Sequence, residues 1–437
     1  MPSWAHRRTT GIRSSEPLTH TVRSLMLEVL RNRTYRRLFS AQIVALIGTG
    51  MLTVALGLLA FDLAGGDAGI VLGIALTIKM LAYVGVAPVI SALTTHVPRK
   101  TLLVSADALR AIVALSLPFV TDAWQIYLLI FVLQAASATF TPAFQALIPE
   151  VLPRESEYTR ALSLSRLAYD LESLLSPILA AALLTVISYH SLFVGTIVGF
   201  VGSALLVFTA TLPAHQVAVT TPFSERLTRG VRVFSRTPQL RALLAMNMVV
   251  ATSTSMVIVN TVVLVQSHLG RAQSDFALAL ACYGFGSMLV ALALPRVLER
   301  FDDRNVMLLG CAVLPAGLLA LAGLVLAPLI PLTWPGLLVI WFILGAATAL
   351  ILTPSARLLR RSSDETSRPA VFAAQFSLSH ACFIVTYPLA GILGAQLGLA
   401  PTATVLAGIG ILSGIIAFRA WTTQSTPLAQ AESTITI

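Results

Sequence analysis

Apolar residues gather into long runs along this chain, and most polar residues fall in the gaps between them. The runs cover approximately 38–62, 69–94, 101–121, 124–147, 160–187, 190–212, 240–265, 273–298, 304–328, 333–355, 369–397 and 400–421. A helix needs about 20 apolar residues to cross the hydrocarbon core of a bilayer, and these runs meet that length. They lack the two-residue alternation of barrel strands. The pattern predicts an all-α polytopic membrane protein with twelve transmembrane helices. Composition agrees: mean hydropathy is +0.85 and charged residues make up 11% of the chain, against roughly a quarter in soluble domains.

Charge adds an orientation. Of the 29 Lys and Arg residues, all but Lys79, Arg110, Arg166 and Arg271 lie in the N-terminal tail, in the even-numbered gaps or beyond the last run. Basic loops are retained in the cytoplasm, so the chain is expected in the cell inner membrane with both termini cytoplasmic. The net charge of +10 follows from this topology. It favours anionic lipid headgroups and gives no reason to expect a nucleic-acid partner.

Residues 1–37 read as a cytoplasmic tail ending in a short interfacial helix over 22–37, with Val22, Leu25, Met26, Val29 and Leu30 on one face. Residues 1–21 lack the apolar core of a secretory signal. The polar stretch 213–239 is expected to be a cytoplasmic linker and 422–437 a second tail. Between them lie two six-helix halves, 38–212 and 240–421. Cys282, Cys311 and Cys382 all fall inside runs and read as buried structural thiols.

The two halves echo each other. Arg33-Thr34 recurs as Arg236-Thr237, 203 residues on, and Arg99-Lys100-Thr101-Leu102-Leu103 recurs as Arg304-Asn305-Val306-Met307-Leu308, 205 residues on. Paired halves of this kind are a mark of secondary transporters. The chain has no Gly-x4-Gly-Lys-Ser/Thr loop, so it carries no sign of ATP hydrolysis, and no nucleophile, base and orienting group stand at an enzyme's spacing. No cofactor is expected.

From Leu30 to Ala420 the sequence resembles the major facilitator superfamily. The segment Ser91-Ala92-Leu93-Thr94-Thr95-His96-Val97-Pro98-Arg99-Lys100 stands where that family has Gly-x-x-x-Asp-Arg-x-x-Arg-Arg. Arg99 and Lys100 keep the basic pair, while Ser91 and Thr95 replace the Gly and the Asp. The second copy, from Pro295 to Arg304, retains more charge in Asp302, Asp303 and Arg304. The resemblance implies gating roles for these residues. The segment Phe140-Thr141-Pro142-Ala143-Phe144-Gln145-Ala146-Leu147-Ile148-Pro149-Glu150 is similar to the branch that exports macrolides, enterobactin and nickel. Ser176-Pro177-Ile178-Leu179-Ala180-Ala181 is similar to the family's antiporter motif Gly-Pro-x-x-Gly-Gly. The resemblance implies an efflux antiporter that works by alternating access on a small-molecule substrate and protons. A monomer is expected, and no sequence feature bears on dimerisation.

Charges inside a span persist where they have a partner or an aqueous cavity. Asp107 and Arg110 are spaced i,i+3, and Arg166 and Asp170 i,i+4, so each pair can meet along one helix face. Lys79 and Glu172 have no such local partner and lie about 15–18 Å from a membrane face. In the family the second and fifth spans border the central cavity, which makes Lys79 and Glu172 candidate cavity and proton-coupling residues. Asp170, Asp107, Arg110 and Arg166 stand behind them. Burial disfavours the charged form of either group, as a proton carrier requires.

His380 is open to three readings: metal ligand, proton or substrate contact, or packing. Cys382 points away from it on a helix and cannot readily share an ion with it. Gln375, Gln134, Asn247 and Asn260 are the other candidate substrate contacts, and Gln42, Thr49, Thr53 and Gln145 further pore-lining residues. A lining of amides and few charges favours a moderately hydrophobic organic compound over nickel or cobalt. A transporter-derived receptor that moves nothing is the alternative outside transport.

Overall fold

Asn32 starts the first membrane helix: its side chain accepts from the backbone N–H groups of Thr34 and Tyr35, both at 3.0 Å. The computed structural model describes residues 29–86, 97–212, 231–327, 332–363 and 368–421. Among them twelve long helices follow in order. They are α1 (Arg33–Ala64), α2 (Ala68–Leu81), α3 (Arg99–Ser116), α4 (Ala123–Val151), α5 (Glu155–Leu183) and α6 (His190–Thr209). The remainder are α7 (Pro238–Val262), α8 (Gln273–Val297), α9 (Asp303–Leu326), α10 (Trp334–Arg361), α11 (Arg368–Gln396) and α12 (Leu399–Ala420). Helix α2 runs on as a π-helical turn over Ala82–Val86, and α7 does the same over Val263–His268.

Ten stretches of the described residues are long and apolar enough to cross a membrane. The first, Arg33–Gly85, holds both α1 and α2. Helix α5 carries Arg160, Arg166, Asp170 and Glu172. Most ends fall within a few residues of the predicted runs, with informative exceptions. Helix α1 begins five residues before its run, so Arg33, Arg36 and Arg37 belong to it. Of the interfacial helix expected at 22–37, residues 29–37 are described, and they form one 3-10 turn, Val29–Arg31, followed by Asn32 and the start of α1. Helix α10 continues past its apolar run to Arg361, because Asp303 receives Arg357 and Arg361. The segments 1–28, 87–96, 213–230 and 422–437 lie outside the described residues, and with them Ser91 and Thr95, most of the linker and both tails.

The packing repeats with a period of six helices. Helix α1 packs on α6 and α5 as α7 packs on α12 and α11, and α3 packs on α4 and α6 as α9 packs on α10 and α12. The halves meet where α2 packs on α11 and, related by the same pseudo-symmetry, α8 packs on α5. Helices α3, α6, α9 and α12 carry exposed apolar side chains, among them Ile112, Leu205, Leu309 and Leu412, as a lipid-facing perimeter requires.

The start of α1 and the end of α12 lie on one side of this bundle, the termini side, as twelve successive crossings require. On the opposite side the halves are in close backbone contact. A methyl group added at Gly73 of α2 would lie 2.6 Å from the Tyr387 carbonyl oxygen and 3.3 Å from Gly391 Cα, both on α11. Asn260 of α7 fills the same seam, donating from Nδ2 to the Ala390 carbonyl at 3.1 Å. On the termini side, charges instead tie helices within one half. Arg99 pairs with Glu150 at 2.8 Å, joining α3 to α4, and Lys100 donates to the Ala210 carbonyl at 3.1 Å. Asp303 pairs with Arg357 at 2.8 Å and Arg361 at 3.0 Å, joining α9 to α10. A separate apolar cluster built on Tyr35, Leu38, Leu103, Phe140 and Phe144 fills the termini side of the first half.

Candidate functional site

A cavity lies at the centre of the bundle, bounded by both halves. Helix α1 gives it Thr49, Leu52, Thr53 and Leu56, α2 gives Leu72, Leu76 and Lys79, and α4 gives Ile130 and Gln134. The second half supplies Ile258 from α7 and Phe276 and Leu280 from α8. Phe276 reaches the first half because Gly57 leaves room for its ring: a Cβ there would lie 2.7 Å from the ring edge. The lining is mainly aliphatic, with two hydroxyls, one amide and one charge, Lys79.

Around Lys79 four polar or aromatic groups converge from three helices. Tyr83, one turn on in the π-helical segment, offers its ring face 5.8 Å from Lys79 Nζ. Such π turns often mark functional positions in membrane helices. From α11, His380 meets Tyr83 edge-on with ring centres 5.6 Å apart, and Phe376 stacks on His380 at 4.2 Å. His380 Nδ1 lies 2.6 Å from the Phe376 carbonyl oxygen, which can only accept, so that nitrogen carries a proton and donates it. From α5, Glu172 is within the electrostatic reach of Lys79, as is His380. No ion pair closer than 4.0 Å among the described residues involves Lys79, Glu172 or His380.

Glu172 owes its position to a glycine. A Cβ on Gly50 of α1 would lie 2.6 Å from Glu172 Oε1 and would also overlap Ser176, so α5 can approach α1 here only because Gly50 has no side chain. Gln42 of α1 and Ser165 of α5 hold the same seam through a 2.9 Å hydrogen bond.

Asp107 and Arg110 occupy a different place. They form a buried ion pair on α3, and the Arg110 guanidinium is held between the rings of Phe140 on α4 and Phe200 on α6, at 4.4 and 4.6 Å. Asp107 Oδ2, Arg110 Nε and the nearby Ser203 Oγ have no hydrogen-bond partner among the described residues. Arg166 and Asp170 lie on α5, but their side chains are outside the described ones, as is that of Gln145.

Among the other predicted residues, Gln134 lines the cavity. Asn247 donates to Gln375 at 3.2 Å, linking α7 to α11 within the second half. Asn260 is committed to the α2–α7–α11 seam, and Ile258 two residues earlier faces the cavity instead. Arg99, Lys100 and Asp303 make the contacts described above, Arg304 lies over the Phe418 ring at 5.2 Å, and Asp302 is the exposed residue that precedes α9. Tyr83, Gly50, Phe276 and Phe376 escaped the sequence reading. Tyr83 follows Lys79 by four residues, a spacing that could have found it. Gly50 and Phe276 act only through distant partners.

A family model described as Major Facilitator Superfamily matches residues 38–263 and again 243–435. The uncharacterized MFS-type transporter YfiS of Bacillus subtilis is 25% identical over 349 residues, covering 77% of this chain and 81% of that protein. Macrolide efflux protein A of Streptococcus pyogenes is 25% identical over 215 residues, which span 47% of this chain and 52% of that protein. Among solved structures, a variant of the nucleoside transporter NupG superposes with a TM-score of 0.70 at 14% identity, covering 89% of this chain and 100% of that one. A bacterial homologue of the human lysosomal transporter Spinster, inward-facing and unoccupied, superposes at 0.69 and 14% identity, covering 90% and 99%. These two likenesses carry the fold.

Proposed function

The chain belongs to the major facilitator superfamily, and we propose that it exports a small, moderately hydrophobic organic compound across the inner membrane by proton-coupled alternating access. It is a multi-pass membrane transporter and not an enzyme. The observation that carries the finer reading is the central cavity, whose walls come from both halves and whose one charge, Lys79, stands within reach of Glu172 and His380. A midplane site between repeats is the place where rocking of one half on the other exposes a ligand to alternate sides.

The positive loops put the termini side in the cytoplasm. On that reading the glycine seam of α2 and α11 closes the outer side, and the pairs at Asp303 and Arg99 hold the inner ends of each half as units. Rocking breaks the seam and brings those inner ends together. Lys79 and Glu172, with no ion pair closer than 4.0 Å among the described residues, are the groups that exchange protons as the cavity changes sides. Likeness to macrolide efflux protein A over about half of that protein favours export. The mainly aliphatic lining favours an organic cargo, and among the described residues no three His, Cys, Asp or Glu side chains stand together as a metal would need.

The test is expression in an efflux-deficient bacterium challenged with antibiotics, other organic toxins, nickel and cobalt. Resistance to organic compounds that disappears with Glu172→Gln is the expected outcome. Resistance to the metals alone overturns the reading.

A further inference from the structure

The charge on the cavity wall says more about cargo than the wall's apolarity does. Lys79 is the one charged residue of the lining, in company with Thr49, Thr53 and Gln134. An ammonium facing an aliphatic chamber repels amines and attracts an acceptor. It has three donors to satisfy, and Tyr83 gives it only a ring face. Glu172 feels its field but sits aside, packed into the α1–α5 seam against Gly50.

We propose that Lys79 is the counter-ion of the cargo, that the cargo is an amphipathic organic anion such as a carboxylate, and that Glu172 takes up a proton as the anion binds. The proposal rests on the central cavity being the transport site. Charge balance at the bilayer centre supplies the coupling. Without cargo, the ammonium of Lys79 and the carboxylate of Glu172 sum to zero. When an anion binds Lys79, Glu172 loses its counter-charge in a low-dielectric site, where an uncompensated carboxylate is costly. One proton from water on the same side adds to a Glu172 carboxylate oxygen and restores the sum to zero. Both the loaded and the empty site are then neutral, so both can cross between conformations. Acid and proton therefore cross together as a symport and the empty site returns with neither, so export runs down the acid's own gradient, in place of the antiport that the family resemblance implies.

Among the described residues, the titratable groups facing this pair are Tyr83 from α2 and His380 from α11. Among the described residues, α1 brings Gly50, Thr49 and Thr53, and α8 brings Phe276 and Leu280, none of which titrates here. His380 already donates through Nδ1 to its own helix. That leaves Glu172 as the acceptor closest in function to Lys79.

The experiment uses the full chain in lipid nanodiscs and equilibrium binding by calorimetry, with empty nanodiscs as the partition control. The probes are decanoate, decanamide and decylamine, and 2-naphthoate, 2-naphthamide and 2-naphthylmethylamine. Repeating each titration in buffers of different ionisation enthalpy counts the protons exchanged. The acids are expected to bind about tenfold or more tighter than the matched amides and amines, with about one proton taken up per acid bound. Lys79→Met abolishes the preference, and Lys79→Arg retains it. Glu172→Gln still binds the acids but takes up no proton. Size-exclusion profiles confirm that each variant is folded.

Preference for the amines, proton release on binding, acid preference surviving in Lys79→Met, or no binding by any of the six probes each overturns the proposal. Amine cargo driven by protons would do so while leaving proton-coupled export intact. Acid binding with proton uptake, in a protein that moves no protons across a vesicle membrane, would instead overturn the export reading alone.

Discussion

Replacing Gly73 with Ala tests the closure of the side opposite the termini. The added methyl would lie 2.6 Å from the Tyr387 carbonyl oxygen and 3.3 Å from Gly391 Cα. Ordinary contact needs roughly 0.8 Å more than the shorter distance, and a helix carbonyl cannot rotate away as a side chain tip can. Helices α2 and α11 must therefore separate locally, at the cost of about 1–3 kcal/mol that overpacking incurs in a close-packed site. That cost exists only while the seam is shut, so it shifts the equilibrium toward the opposite opening by about 5- to 150-fold. The assay replaces Cys282, Cys311 and Cys382 with Ala, introduces Ile258→Cys on the cavity wall, and follows its reaction with a membrane-impermeant thiol reagent applied from outside the cell. Labelling should accelerate by that factor in Gly73→Ala. Gly408→Ala, where an added methyl meets nothing within 4 Å, should leave it unchanged. Equal labelling rates in the two variants would refute the reasoning.

Three further outcomes follow from the geometry. Asp107→Leu or Arg110→Met alone leaves a buried charge unpaired and should cost about 3–5 kcal/mol of stability. The double variant should recover most of that loss in thermal unfolding followed by size exclusion, because Phe140 and Phe200 pack a methionine as readily as a guanidinium. Gly50→Ala should displace Glu172 and cut proton-coupled transport by about tenfold while the protein stays folded; vesicle flux and size exclusion read the two effects separately. Asp303→Asn removes the negative charge and one of the two oxygens that receive Arg357 and Arg361, which are half-exposed, so the loss should be about 1–2 kcal/mol and should shrink with added salt. Unfolding curves at low and high salt check this.

The membrane helices were legible because the bilayer imposes a length and an apolarity that a sequence cannot hide. The exceptions at their ends depend on single polar residues. Asn32 pulls Arg33 and its neighbours into α1, and Asp303 extends α10 to Arg361, a pairing across more than fifty residues that no local pattern encodes. Asp107 and Arg110 could be paired from their i,i+3 spacing. That Phe140 and Phe200 close over Arg110 could not, since each comes from a different helix.

Lys79, Glu172 and His380 stand out in sequence as polar interruptions of apolar runs. Their convergence depends on how α2, α5 and α11 are rotated and how deep each sits. The glycines that set those approaches, Gly50, Gly73 and Gly391, look like any others in an apolar helix. Asn260 shows the same limit from the other side: an amide in a span is conspicuous, but only packing decides whether it faces the cavity or a seam.

The central claim is that Lys79 and Glu172 form the proton-coupled heart of a transport site between the two halves. The most direct test is proton movement in proteoliposomes bearing the protein, followed with an entrapped pH dye as a transported compound is added. The account predicts compound-dependent proton flux in the wild-type protein and its loss in both Lys79→Ala and Glu172→Gln, with the folded fraction unchanged. Undiminished flux in both variants would contradict it.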